Sequence, residues 1–294
     1  MLELHSINRS FGDRRVLTDV AFSVTGGRMT GFVGGNGAGK TTTMRIILGV
    51  LAPDSGSVTL DGSPLTAEAR TRFGYMPEER GLYPKMKVAE QVTYIGRLHG
   101  MPTEDAKRNT MELLERLGLG ERANDTVESL SLGNQQRAQI AAALVHEPEV
   151  LVLDEPFSGL DPMAVEVVQG VLKDFAAKGA PVLFSSHQLD IVERLCDDLI
   201  VIADGEIRAA GSRETLREAH APGLYELTVA GDTGWLRSEP GVRVVDFDGG
   251  HAVFETDSTE TAQRVLKRAA ASGDVQRFAP RQPSLAQIFK EVVQ

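Results

Sequence analysis

Apolar side chains recur at every second position near the start of the chain. Val20, Phe22 and Val24 alternate with polar or small residues, the period of a half-buried strand, and Thr25-Gly26-Gly27 supplies a turn. A short apolar run from Met29 to Val33 leads into a glycine-rich loop and a helix starting near Lys40. Val58-Thr59-Leu60 with Asp61-Gly62 reads as a further strand closed by a turn. From about Pro84 to Pro148 the pattern becomes helical. Pro102-Thr103-Glu104-Asp105 predicts a helix start with Thr103 as cap and acids in the first turn. Ala106, Thr110, Leu113 and Leu117 share one face of that helix, and Gly118 is placed to end it. Continuous apolar runs return at Val150–Leu153 and Val182–Phe184, as expected of parallel strands buried on both faces. Strand, helix, helical insert, strand, helix, strand is an α/β order.

The last third reads as a separate, smaller α+β unit. Ala219-His220-Ala221-Pro222-Gly223 has the composition of a linker. Tyr225–Val229 and Val242–Phe247 are predicted strands, Asp248-Gly249-Gly250 a hairpin turn, and His251–Glu255 the returning strand. Thr261, Val265, Leu266 and Ala269 fit one helix; Leu285, Ile288, Phe289 and Val292, after Pro283, fit a second. The predicted domains are 1–218, with a helical part at about 84–148, and 224–294.

Composition narrows the class. With 41% hydrophobic and 24% charged residues the chain is globular rather than disordered. A net charge of -10 argues against binding nucleic acid or anionic membrane through bulk charge, so no nucleic-acid partner is expected. No apolar stretch approaches the roughly 18 residues of a spanning helix. Met1-Leu2-Glu3-Leu4-His5 has no basic region before an apolar run, so no secretory signal is read there. One cysteine, Cys196, excludes an internal disulfide and reads as a buried helical thiol. The compartment expected is the cytoplasm.

Candidate chemistry begins at Gly34-Gly35-Asn36-Gly37-Ala38-Gly39-Lys40-Thr41-Thr42, which fits the phosphate-loop pattern of Gly, four residues, Gly-Lys-Thr. Glycines let backbone N–H groups converge on phosphate oxygens, and the following helix presents its unpaired N–H groups to the same anion. Lys40 can reach the β- and γ-phosphates of ATP, and the Thr41 hydroxyl can ligate Mg²⁺. Val150-Leu151-Val152-Leu153-Asp154-Glu155 is an apolar strand ending in two acids. Asp154 is placed to hold Mg²⁺ directly or through water, leaving Glu155 to orient or deprotonate the attacking water. Paired acids at a strand end also serve as helix caps; their company with a phosphate loop favours the site.

Further segments resemble those of the ABC transporter ATPases, in order from about Leu2 to Gly211. Leu130-Ser131-Leu132-Gly133-Asn134-Gln135-Gln136-Arg137 resembles the signature, Ser158-Gly159-Leu160-Asp161 the D-loop, and Phe184-Ser185-Ser186-His187 the switch-histidine segment. The resemblance implies a P-loop, RecA-like core with an antiparallel β subdomain and a helical signature subdomain, followed by the small α+β domain. It implies a head-to-tail homodimer sandwiching two ATP molecules, each met by one subunit's phosphate loop and the other's Ser131, Gly133 and Asp161. Gly133 would lead the signature helix, with its N-terminus aimed at the γ-phosphate. His187 would sense that phosphate, and Phe11 would stack on adenine. Phe73-Gly74-Tyr75-Met76-Pro77-Glu78 resembles the Q-loop segment, with Glu78 as an oxygen ligand to Mg²⁺ or water in place of Gln. Leu132, Asn134 and Gly35 also depart from the family's usual Gly, Gln and Pro. These departures, with Glu79-Arg80-Gly81-Leu82-Tyr83-Pro84 and the tail Pro283–Val292, resemble bacterial sodium and drug exporters with a C-terminal accessory domain. The partner implied is an integral membrane permease, with this chain peripheral on the cytoplasmic face of the membrane. Two other classes are a soluble ABC ATPase acting on ribosomes or DNA, and a small-molecule kinase. A single cassette without sustained heptads opposes the first, and the signature and histidine segments oppose the second.

Overall fold

The computed structural model describes residues 1–79, 81–219, 223–281 and 284–293. Arg80, the linker residues His220, Ala221 and Pro222, and Pro283 lie outside the described residues. Contacts divide the chain into two units, Met1–Ser212 and Arg213–Val292.

In the first unit, β1 (Leu2–Phe11) and β2 (Arg14–Val24) pair antiparallel. The alternation read at Val20, Phe22 and Val24 buries all three, as it does Leu2 and Leu4 on the facing strand. β3 (Met29–Val33) is buried throughout and runs through the phosphate loop into α1 (Lys40–Ile47). β4 (Ser55–Leu60) returns antiparallel to β1, and β5 (Ser63–Pro64) completes a sheet of order β2-β1-β4-β5. After α2 (Ala67–Arg70) comes β6 (Phe73–Met76). The helical interval contains α3 (Val88–Leu98), α4 (Thr103–Arg116) and α5 (Leu132–Leu144). The chain then alternates β7 (Val150–Leu153), α6 (Pro162–Ala177), β8 (Val182–Ser186), α7 (Leu189–Leu195), β9 (Asp198–Ala203) and β10 (Glu206–Ser212).

The second sheet has the order β10-β9-β3-β8-β7-β6, parallel except for β10. Every residue of β7 and β8 is buried, which is why those runs are continuous rather than alternating. An apolar cluster joins the two sheets, with the Phe22 and Phe32 rings 5.4 Å apart. The ends of β3, β6, β7 and β8 open on one edge, where ligands of parallel sheets bind.

Three local expectations are corrected. Thr103 does not cap α4: Pro102, extended at ψ 144°, is the boundary residue, Thr103 is the first helical residue, and it makes no capping bond. Proline's fixed φ and missing N–H suit a helix boundary, so the helix begins one residue early. For the same kind of reason α5 starts at Leu132 rather than Gly133, because Ser131 caps it by accepting the Asn134 N–H at 3.3 Å. Cys196 is buried, but it follows α7 in extended conformation. Gly118 does end α4, at φ 68°.

The second unit contains α8 (Arg213–Ala219), β11 (Leu224–Val229), β12 (Val242–Asp248), β13 (His251–Thr256), α9 (Thr259–Ser272), β14 (Val275–Pro280) and α10 (Leu285–Val293). Its antiparallel sheet has the order β12-β13-β11-β14. Asp248 pairs with His251, so Gly249-Gly250 form the two-residue hairpin loop. Leu227, Ala252, Phe254, Val265 and Ala269 make its core. Beside that core Glu239 is buried, with Arg264 Nε and Arg268 Nη1 at 2.9 and 2.5 Å from its two oxygens, and Arg268 lies over the Trp235 ring.

Candidate active site

The phosphate loop takes its shape from two glycines. Gly39 caps α1 at φ 113°, a backbone state that side chains disfavour, and a Cβ there would meet Leu17 at 2.6 Å. At Gly34 a Cβ would fall 2.4 Å from the Ile202 carbonyl oxygen. Lys40 is buried and folds back over the loop, its Nζ donating to the Gly34 and Gly35 carbonyls at 2.7 and 3.2 Å. Thr41 Oγ1 donates to Asp154 Oδ2 at 2.9 Å, joining the start of α1 to the end of β7.

The two acids diverge because the backbone turns between them. Asp154 continues the strand and is buried, its N–H bonded to the Met76 carbonyl at 2.8 Å. Glu155 has φ 52°, a left-handed conformation costly for a non-glycine residue, and this turn aims its side chain away from that of Asp154. Its carboxylate lies 2.9 Å from His187 Nδ1, just beyond β8. Burial, with the nearby Asp154 carboxylate, pushes the Tyr75 hydroxyl above its ordinary value.

Eleven of the residues expected from sequence border one open cavity of about 540 Å³: Phe11, Asn36, Gly37, Gly39, Lys40, Thr41, Thr42, Glu78, Asp154, Glu155 and His187. Gly34, Gly35 and Ala38 belong to the same loop without lining it. Ser131, Gly133 and Asp161 lie outside the cavity. Ser131 caps α5, and Asp161 caps α6 by accepting the Ala164 N–H at 2.8 Å. A Cβ on Gly133 would touch the Gly159 carbonyl at 3.4 Å, so the start of α5 lies against the Ser158–Asp161 segment.

Several participants were not singled out from sequence. Arg14 and Val16 line the cavity, and Arg9 lies over the Phe11 ring, 4.8 Å from its centroid. Gln136 Nε2 donates to the Glu155 carbonyl at 2.9 Å. Gln139 Nε2 donates to the carbonyls of Pro77 and Glu79, both at 3.1 Å, on either side of Glu78. Both glutamines are buried, which for an amide already signals a bonded partner.

Residues 17–158 match the family profile described as ABC transporter. Residues 211–293 match a second, described as ATP-binding protein DrrA1-3-like, C-terminal domain. The uncharacterized ABC transporter ATP-binding protein YhaQ of Bacillus subtilis is 35% identical over 293 residues, covering 100% of this chain and 98% of that one. The chain belongs to the ABC transporter ATP-binding proteins. Nod factor export ATP-binding protein I of Burkholderia lata is 38% identical, covering 81% of this chain and 79% of its own. Among solved structures, the dimeric structure of MJ0796, a bacterial ABC transporter cassette, superposes with a TM-score of 0.66 at 25% identity, over 72% of this chain and 98% of that one. The chain is thus an ATPase of this family, with the cassette fold and a second unit built on an antiparallel sheet.

Proposed function

We propose that this ABC ATPase powers export through a separate membrane permease, as a head-to-tail homodimer on the cytoplasmic face of the membrane. The observation that carries the catalytic part is the junction at the end of β7, where Asp154 meets Thr41 while Glu155 turns away to His187. Likeness to an export ATP-binding protein supports the direction of transport. The dimeric cassette supports the assembly, since Ser131, Gly133 and Asp161 lie outside the cavity and suit a partner's nucleotide. No described helix is long and apolar enough to cross a membrane. In this reading residues 1–218 form the ATP-binding domain and 224–294 the accessory domain, which supports or regulates the dimer.

Thr41 and Asp154 offer the all-oxygen donor set that Mg²⁺ prefers, already converged within 2.9 Å, and Glu78 adds a carboxylate on the same cavity. Bound there, Mg²⁺ would neutralise charge on the β- and γ-phosphates. Loop N–H groups and Lys40 hold the phosphates, and Phe11 offers its ring to adenine. Glu155 accepts the proton of the attacking water, and His187, whose Nδ1 lies 2.9 Å from that carboxylate, is the group that would sense the γ-phosphate.

Glu155→Gln keeps the shape of the side chain and removes the base. It should bind ATP, lose most hydrolysis, and accumulate as an ATP-bound dimer in sizing experiments. Near-native turnover would remove Glu155 from this role. Affinity purification from detergent-solubilised membranes should recover a polytopic membrane protein, whereas recovery of ribosomes would overturn the transport reading.

A further inference from the structure

Strand β8 is apolar through Val182, Leu183 and Phe184 and then places a hydroxyl beside both site acids. Ser185 is fully buried and does not line the cavity. Its Oγ donates to Asp154 Oδ1 at 2.5 Å and accepts the Glu155 N–H at 2.9 Å. The parallel register accounts for this: Leu153 pairs with Phe184, so Ser185 stands beside the point where the chain leaves β7. A serine buried in a strand could satisfy itself on its own backbone; this one divides its donor and acceptor between two consecutive acids of the neighbouring strand.

We propose that Ser185 is a positioning residue for ATP hydrolysis, setting the metal-side and base-side acids together. Engaging Oδ1 fixes the rotation of the Asp154 carboxylate, so that Oδ2 faces Thr41. Holding the Glu155 N–H secures the left-handed turn that separates the two carboxylates. Removing the hydroxyl takes a partner from a buried carboxylate and from a buried N–H in one step. The inference rests on the roles proposed above for Asp154 and Glu155.

The test compares Ser185→Ala and Ser185→Thr in the full chain, with Glu155→Gln alongside. Loss of an orienting partner behind a metal ligand typically costs tenfold or more, so Ser185→Ala should lower kcat about tenfold and raise the half-saturating Mg²⁺ about tenfold. Binding of a fluorescent ATP analogue in EDTA should stay within about twofold, and Ser185→Thr, which keeps the hydroxyl, should restore both parameters. Wild-type kcat and Mg²⁺ dependence in Ser185→Ala would overturn the proposal. So would equal impairment of both variants with loss of metal-free nucleotide binding, which marks a packing role alone. If Glu155→Gln stays active, the reading of the site itself fails; if it is inactive while Ser185→Ala is normal, only the role of Ser185 does.

Discussion

His146 follows α5 and stacks on His99, which ends α3, with ring centroids 3.6 Å apart and planes 14° from parallel. Its Nε2 lies 3.1 Å from the Phe73 carbonyl, and its Nδ1 is buried without a partner. Burial first, and the neighbouring His99 second, push its pKa down from 6.5 to about 4. The folded protein therefore refuses a proton that the unfolded chain accepts. The sign follows from that difference: the stability is present above pH 6.5 and is lost as pH falls towards 4. At 1.36 kcal/mol per unit, folding should lose about 2 kcal/mol between pH 7 and pH 5 through this ring alone, and about 3 kcal/mol by pH 4. His146→Gln removes the titration and keeps an N–H donor for the Phe73 carbonyl. Urea unfolding followed by circular dichroism at pH 7 and pH 5, on both proteins, isolates the term. The wild type should lose about 2 kcal/mol more than the variant over that interval. Parallel losses, equal within about 0.5 kcal/mol, would show that no proton is linked to folding at this ring.

Glu78 gives a second test. Glu78→Gln keeps an oxygen and should retain substantial ATPase activity, whereas Glu78→Ala should reduce activity and raise the Mg²⁺ requirement; equal behaviour would place the side chain outside the metal shell. In the second unit, Glu239→Ala leaves Arg264 and Arg268 without their shared carboxylate and should cost roughly 1–3 kcal/mol. Trp235, stacked under Arg268, reports that loss as a lower urea midpoint in its emission, and an unchanged midpoint would show the ion pairs contribute nothing net. The Arg264 and Arg268 guanidinium groups hold the Glu239 carboxyl below its usual range, so this contribution is present at neutral pH and fades as pH falls through the carboxylate range.

How much was legible depends on how local the cause is. The phosphate loop could be read because its constraints act within a few residues: Gly39 must accept a positive φ, and Lys40 must follow it at the head of a helix. The ends of β7 and β8 could be read because burial on both faces removes alternation, and polar side chains then break the apolar run, although Asp154 and Glu155 stay buried. Ser185 sits in the apolar-to-polar run Phe184–His187, but its bond to Asp154 follows from strand register across 31 positions of sequence. The Gln139 bond to Pro77 spans 62 positions, and a glutamine on a helix carries no sign of its partner. Strand β14 leaves no mark in the sequence pattern, because Val275–Pro280 is poor in alternating apolar residues and is recruited by pairing with β11. Thr103 fitted the capping preference, yet the proline before it took the boundary.

Helix α5 has little amphipathic character because nearly every residue from Gln136 to Leu144 is buried. Gln136 and Gln139 are separated by three residues, about 4.5 Å along the axis, and project from neighbouring positions on its surface. One grips the peptide of Glu155 and the other the two peptides flanking Glu78. The two anchor points are therefore tied to a single turn of one helix. One helix thus holds, through two side-chain amides, both the turn that carries Glu155 and the segment that carries Glu78.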